Sequence, residues 1–250
     1  MTGAPAGPAA EASMREAERA VDREPRLSVV VPALDEGATI GGLLSDLALL
    51  TTPHEIIVAD GGSRDETAVV ARTWGARTLR TPPGRGRQLR VGASTARAPL
   101  LLFVHADVRL GPEAVALLDR LAAAPPAAAT AFRLRIRASG IAFRMIEWGA
   151  NLRSRLLGLP YGDQGLLVRR EDYDRADGHP PVPIMEDVAL VRALRKVTSV
   201  RLLDVPIHVS ARRWEVDGPI RRTLENWALL VRYLAGVPPD DLVHDYRGHG

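Results

Sequence analysis

The sequence predicts an α/β fold, one domain built on a mostly parallel central sheet with helices on both faces. Three observations carry this. Apolar or β-branched runs recur at residues 27–31, 55–59 and 100–104. Segments with apolar residues at helical spacing lie between them. Polar clusters follow the runs directly: Asp35-Glu36, Asp60, and His105-Ala106-Asp107. Strands alternating with helices at this spacing build βαβ units. In such sheets ligands bind outside the carboxyl ends of the strands, which is where the polar clusters fall.

The elements follow in order. Residues 1–25 are rich in Ala, Pro, Gly and Glu, lack the apolar stretch of a secretory signal, and read as a disordered tail with a short helix near 11–21. Residues 27–31 form a buried strand closed by Pro32, and 39–50 a helix. A second strand spans 55–59, a helix 65–73, a weak strand 77–80, a helix 85–96, the most apolar strand 100–104, and a helix 112–123. The second half is less regular. Residues 131–137 alternate apolar and polar, as a half-exposed strand does. Helices are expected at 141–157, 187–196 and 220–234, and strands at 165–168, 200–203 and 207–210. The domain is taken as 26–236, with 237–250 a second, fraying tail.

Composition narrows the function. With 250 residues, 46% hydrophobic and 25% charged, the chain is ordinary for a soluble domain. Cysteine is absent, which excludes a disulfide scaffold, a zinc ribbon, an iron–sulfur cluster and a cysteine nucleophile. No run reaches the ~20 apolar residues of a membrane span. The expectation is a cytoplasmic protein. Lys196 is the single lysine, so nearly all 33 basic residues are arginine, a bias that suits GC-rich coding and also phosphate contact. Aromatics are 4% and do not interleave with a basic stripe, so nucleic acid is not an expected partner.

Five segments carry candidate chemistry. Asp60-Gly61-Gly62-Ser63 ends a strand; the carboxylate suits a base or ribose, and the turn equally suits a helix cap. Asp107 is placed to hold a hard cation on a diphosphate, with His105 beside it. Gly84-Arg85-Gly86-Arg87-Gln88 opens a helix whose free N–H groups and arginines favour anions, or is a solvated loop. It is neither a dinucleotide fingerprint nor a P-loop. Glu186-Asp187 opens another helix, where Asp187 could act as general base or serve as favourable N-terminal charge. His208, Arg213 and Trp214 leave a late strand; the histidine could be a metal ligand and the tryptophan a sugar platform or core. Residues 220–234 place Leu224, Trp227, Leu230, Val231 and Leu234 on one face beside Arg221 and Arg222. That pattern suits core packing, the expectation here, and also a membrane-surface helix.

Taken together the segments resemble family 2 glycosyltransferases of the A-type nucleotide-diphospho-sugar fold. Val30-Val31-Pro32-Ala33-Leu34-Asp35-Glu36 resembles the opening V-V-I-P-x-x-N-E, with Asp35 for Asn. Residues 59–67 resemble D-D-G-S-x-D-x-T. Residues 84–92, running into 100–107, resemble G-x-G-x-A-x-N-x-G before a D-x-D strand end, with His105 for its first aspartate. Glu186-Asp187 matches E-D, and Arg213-Trp214 the end of Q-x-x-R-W, with Ser210 for Gln. Tyr161-Gly162-Asp163-Gln164, with His105-Ala106-Asp107 and Met185-Glu186-Asp187, is similar to a small bacterial subfamily linked to arsenosugar biosynthesis.

The resemblance implies metal-assisted, inverting, non-processive transfer of a sugar from a nucleotide-diphosphate donor to a small-molecule or lipid-linked hydroxyl acceptor. It implies that Pro32, Leu34, Glu36, Asp60 and Gly61 line the nucleotide pocket. Arg87, Gln88, His105 and Ala106 would lie near the nucleotide or its phosphates. Asp107, with His208, would hold Mn2+ or Mg2+. Asp187 would be the base, and Tyr161, Gly162, Asp163, Gln164, Glu186, Arg213 and Trp214 would face donor sugar or acceptor. The alternatives are a sugar-phosphate nucleotidyltransferase and a non-catalytic nucleotide-sugar binding protein.

Overall fold

The computed structural model describes residues 24–212, 214 and 218–247. Most of the expected N-terminal tail, with its short helix, and Arg213 lie outside the described residues. The first half alternates as expected: β1 (Leu27–Ala33), α1 (Gly37–Leu47), β2 (His54–Asp60), α2 (Thr67–Thr73), β3 (Arg77–Arg80), α3 (Arg85–Thr95) and β4 (Leu100–Phe103). Then come β5 (Arg109–Leu110), α4 (Pro112–Ala123), β6 (Ala129–Ile136), α5 (Ile141–Leu157), β7 (Leu166–Arg169), α6 (Arg170–Arg175), α7 (Glu186–Leu194), β8 (Val200–Val209), α8 (Pro219–Leu234) and α9 (Pro239–Arg247).

The strands form one eight-stranded sheet in the order β3-β2-β1-β4-β7-β6-β8-β5. The pairs β1–β2, β1–β4, β2–β3 and β6–β8 are parallel; β7 runs antiparallel to both its neighbours, and β5 to β8. Every residue of β1 is buried, as a parallel strand covered on both faces requires. Its side chains alternate between two cores. Val29 and Val31 join Ile40, Leu43 and Leu118 on one face, while Val30 joins Leu89, Leu101 and Leu190 on the other. A third cluster, of Met185, Val188, Leu229, Leu230 and Leu242, ties α7 to α8 and α9.

Three differences from the sequence reading have physical reasons. Pro32 lies inside β1 instead of closing it. Val30 O receives the Val104 N–H, so positions 30 and 32 face β4. That strand has ended at Phe103, and no ladder bond is lost to the missing proline N–H. The two expected late strands are one, β8. A register shift between Ala131 and Arg133 of β6 absorbs the Asp204–Pro206 irregularity, so the strand continues through a proline. Residues 237–250 do not fray throughout: α9 begins with Pro239 and two first-turn aspartates, Asp240 and Asp241, and its Leu242 is fully buried. Among the described residues, no helix is long and apolar enough to cross a membrane.

Candidate active site

The carboxyl end of β4, the turn after α5, the loop into α7, the end of β8 and one side of α8 enclose an open cavity. It holds about 1010 Å3 of space, open solvent included. Its polar lining is rich in acid and base: Asp107, Asp163, Glu186 and Asp187 face Arg85 and Arg222.

Each group is held by its element. β4 delivers His105 and Asp107, with Ala106 between them buried. After α5, a single 3-10 turn at Gly162–Gln164 is fixed by Gln164, which is wholly buried. Its Nε2 donates to Phe132 O (3.1 Å), and its Oε1 accepts from Ser154 Oγ (2.6 Å). The guanidinium of Arg153 lies 3.4 Å from the centroid of the Tyr161 ring. Burial pushes the Tyr161 hydroxyl up to about 12, against the opposing charge of Arg153. The phenol is therefore a neutral donor at ordinary pH.

Gly162 is the close contact on which the centre is built. Its N–H donates to Asp187 Oδ2 (2.8 Å). A Cβ there would stand 2.8 Å from His105 Nε2 and 3.6 Å from Asp187 Oδ2, so only glycine lets imidazole, turn and carboxylate meet. Asp187 Oδ1 accepts the Val188 N–H (2.7 Å). With one backbone donor on each oxygen, the carboxylate is fixed in orientation. Met185, just before it, is left-handed (φ 64), a conformation that costs roughly 1–2 kcal/mol for an L-residue. The third hydrophobic cluster holds it there.

Glu186 is buried, and Arg85 Nε lies 3.2 Å from its Oε1. Burial raises its carboxyl above the ordinary value; Arg85 opposes and Asp187 reinforces the shift. The pair forms because α3 comes very close to the preceding loop. A Cβ on Gly86 would lie 2.3 Å from Pro180 O. From α8, Arg222, Asn226 and Leu229 reach the cavity at i, i+4 and i+7, one side of the helix.

Residues 28–174 match the family model Glycosyl transferase family 2. The chain belongs to that family. Glucosyl-3-phosphoglycerate synthase of Mycolicibacterium paratuberculosis is 34% identical over 93 residues, 33% of this chain and 28% of that protein. The chain spans under a third of the length of the curated relatives it matches. A mannosyltransferase of Pyrobaculum calidifontis, solved with GDP-Man and Mn2+, superposes with a TM-score of 0.60 at 16% identity, covering 96% of this chain and 87% of that one. Staphylococcus aureus TarS, residues 1–349 with UDP, gives 0.60 at 19% identity over 80% and 65%. These likenesses show the nucleotide-sugar transferase fold.

Of the residues the sequence singled out, His105, Asp107, Tyr161, Asp163, Glu186, Asp187 and Trp214 line the cavity. The buried indole N–H of Trp214 has no hydrogen-bond partner among the described residues. Ala106 and Gln164 stand behind the lining, the latter as the brace of its turn. Pro32, Leu34, Glu36, Asp60 and Gly61 gather outside the cavity, at the carboxyl ends of β1 and β2. There Asp60 Oδ1 accepts from the Gly62 and Ser63 N–H groups and from Ser63 Oγ (3.2, 2.8 and 2.6 Å). Glu36 accepts from Thr39 Oγ1 (2.6 Å) and lies 3.7 Å from Arg212. Asp35 has φ 53, a conformation that Asn and Asp tolerate best after glycine. That accounts for the exchange at this position.

Three expected residues do not line this cavity. Gln88 is buried, and its Nε2 donates to Ala33 O and Ala59 O at 2.8 Å each. It binds β1 to β2 and does not face the cavity. Arg87 is exposed on α3, and its neighbour Arg85 reaches the cavity instead. His208 is absent from the lining, because strand alternation turns it away from Val209, which is in it. Its Nε2 is 4.0 Å from the Cβ position of Gly111. His208 therefore does not join Asp107 in the cavity lining. Among the described residues no three His, Asp or Glu side chains gather as a metal cage. Asp107 alone fits a cation that takes its remaining ligands from a diphosphate and water, the usual arrangement for Mg2+.

Arg85, Arg222 and Asn226 were not expected in the cavity. The signal for the last two was polar residues at i and i+4 on the side of α8 opposite its apolar stripe. The family model ends at residue 174, so α7 and α8 lie beyond the matched segment.

Proposed function

We propose that the chain is an inverting glycosyltransferase that moves a sugar from a nucleoside diphosphate donor to a hydroxyl acceptor. The observation that carries this is Asp187. Its carboxylate is oriented by two backbone N–H groups on the wall of a cavity that also presents Asp107, Arg85 and Arg222. A carboxylate so fixed can take the acceptor's hydroxyl proton. The freed oxygen lone pair forms a bond to the anomeric carbon. The bond from that carbon to the β-phosphate oxygen breaks, and its electron pair departs with the diphosphate. Attack in line with departure inverts the anomeric centre. Arg85 and Arg222 supply positive charge where the leaving group develops negative charge. A divalent cation, Mn2+ or Mg2+, bound between Asp107 and the diphosphate would add to that neutralisation. Tyr161 supplies a neutral hydroxyl to sugar oxygens, and the Trp214 ring forms part of the wall beside them.

The test is nucleoside diphosphate release from a panel of UDP- and GDP-sugars, with and without Mn2+, alongside thermal shifts by UDP and GDP. Asp187→Asn should lower turnover by about 10²–10⁴-fold and leave the nucleotide-induced thermal shift in place. Normal turnover in that variant would falsify the assignment of the base.

A further inference from the structure

α8 separates the cavity from a surface of different character. Its residues Ile220, Leu224, Trp227, Val231 and Leu234 recur at helical spacing and are exposed, from 39% for Trp227 to 68% for Ile220. By the 3.6-residue period this stripe lies opposite Arg222, Asn226 and Leu229, which line the cavity. The sequence predicts that Leu224, Trp227, Leu230, Val231 and Leu234 pack into the core; of these only Leu230 is buried. α5 packs against α8 and carries a stripe of its own, Ile141, Met145, Trp148 and Leu156, each at least 67% exposed. Scattered exposed apolar residues are ordinary; periodic stripes on two adjoining helices are not.

Charge indicates what covers them. α5 and α8 together hold six arginines and two glutamates; Arg153 is buried and Arg222 faces the cavity, so the outer side keeps four arginines against two glutamates, a net +2. Beside the α5 stripe, Trp148 and Leu152 share a groove of about 930 Å3 with Arg133, Arg135, Arg144 and Arg155. Glu147 and Asp204 pair with some of these arginines, Arg144–Glu147 at 2.8 Å and Arg155–Asp204 at 2.5 Å, and the groove remains net positive. Trp148 and Trp227 are two of the chain's four tryptophans, a side chain suited to the level of lipid head groups.

We propose that the face formed by α5 and α8 docks on an anionic lipid surface. The stripes enter the boundary between head groups and acyl chains, and the arginines meet the phosphates. The cavity then lies one helix diameter, about 10–12 Å, from the membrane. A second copy of the chain is the competing occupant. A two-fold contact would bring this net positive face and its arginine groove against themselves, whereas phosphate head groups supply the opposite sign.

Flotation of the full chain with phosphatidylcholine vesicles, with and without phosphatidylglycerol, tests this at low and high salt. The chain should float with the anionic vesicles, and less so as salt rises. A Leu224→Gln, Trp227→Gln, Trp148→Gln triple variant, altered only at exposed positions, should bind them at least about tenfold more weakly with an unchanged circular dichroism spectrum. Arg133→Gln with Arg135→Gln should weaken the salt dependence. No flotation of the unaltered chain, or equal flotation of the triple variant, overturns the proposal. So does a dimer in sedimentation velocity that the triple variant abolishes while vesicles bind neither protein. No donor is present in these measurements, so they stand apart from the role of Asp187.

Discussion

In the first half of the domain, residues 27–104, the carboxylates and amides at the strand ends bond to the backbone around them. Asp60 holds its own turn, Asp35 Oδ1 accepts the Arg64 N–H, and Gln88 joins two strands. In the second half, Asp187 also accepts backbone N–H groups, yet it, Asp163 and Glu186 line the cavity, as do Arg222 and Asn226. One half builds a rigid strand edge and the other presents chemistry to it. A recognisable motif therefore marks a place where backbone must be satisfied, which need not be where substrate is touched.

The comparison can be broken or sharpened by substitution. The largest effect belongs to Asp187→Asn, where the loss of turnover proposed above should come with an unfolding free energy unchanged to within about 1 kcal/mol. A matching loss of stability would make Asp187 a structural group like those of the first half.

His179 is the second half's exception. It is buried against Phe103 and hydrogen-bonded to the Tyr173 hydroxyl (3.1 Å). Burial, helped by the charge of Arg90, holds its imidazole down at about 3, from 6.5. Above 6.5 both folded and unfolded chains are neutral there, and stability is complete. As pH falls, the unfolded chain takes a proton that the folded one refuses, so stability is lost from 6.5 towards 3. Denaturant titrations should show a loss of about 3 kcal/mol by about pH 4, and His179→Gln should flatten that slope.

Gln88→Leu should cost about 1–3 kcal/mol of stability, since a buried carbonyl loses its donor, and the folded variant should bind nucleotide as before. Intact stability with lost nucleotide affinity would move Gln88 to the ligand. The smallest effect is expected of Gly162→Ala, about 1 kcal/mol in unfolding. Its methyl group would press on His105 beside Asp187, so turnover should fall by more than stability explains.

The parallel half of the sheet was legible because β1, β2 and β4 carry apolar or β-branched runs separated by helical patterns. Its elements at 77–80 and 112–123 match residue for residue. The two-residue β5, the six-residue α6 and the bulged β8 were not, because length and pairing there depend on partners distant in the chain. In the site, Asp107, Glu186 and Asp187 were legible from position at a strand end or helix start. His208 and Arg87 were misplaced by strand parity and helix phase, which one residue reverses. Arg222 was hidden because α8 carries apolar residues on both sides, and only the fold shows which side faces the cavity.

Leu242 of α9 touches no lining residue's chemistry, yet it is fully buried with Met185, Val188, Leu229 and Leu230. Through Met185 it backs the residue that starts α7, and through Leu229 it backs the cavity wall. The first turn of α9 thus works as a fastener: whatever displaces Leu242 displaces the wall from which Asp187 reaches.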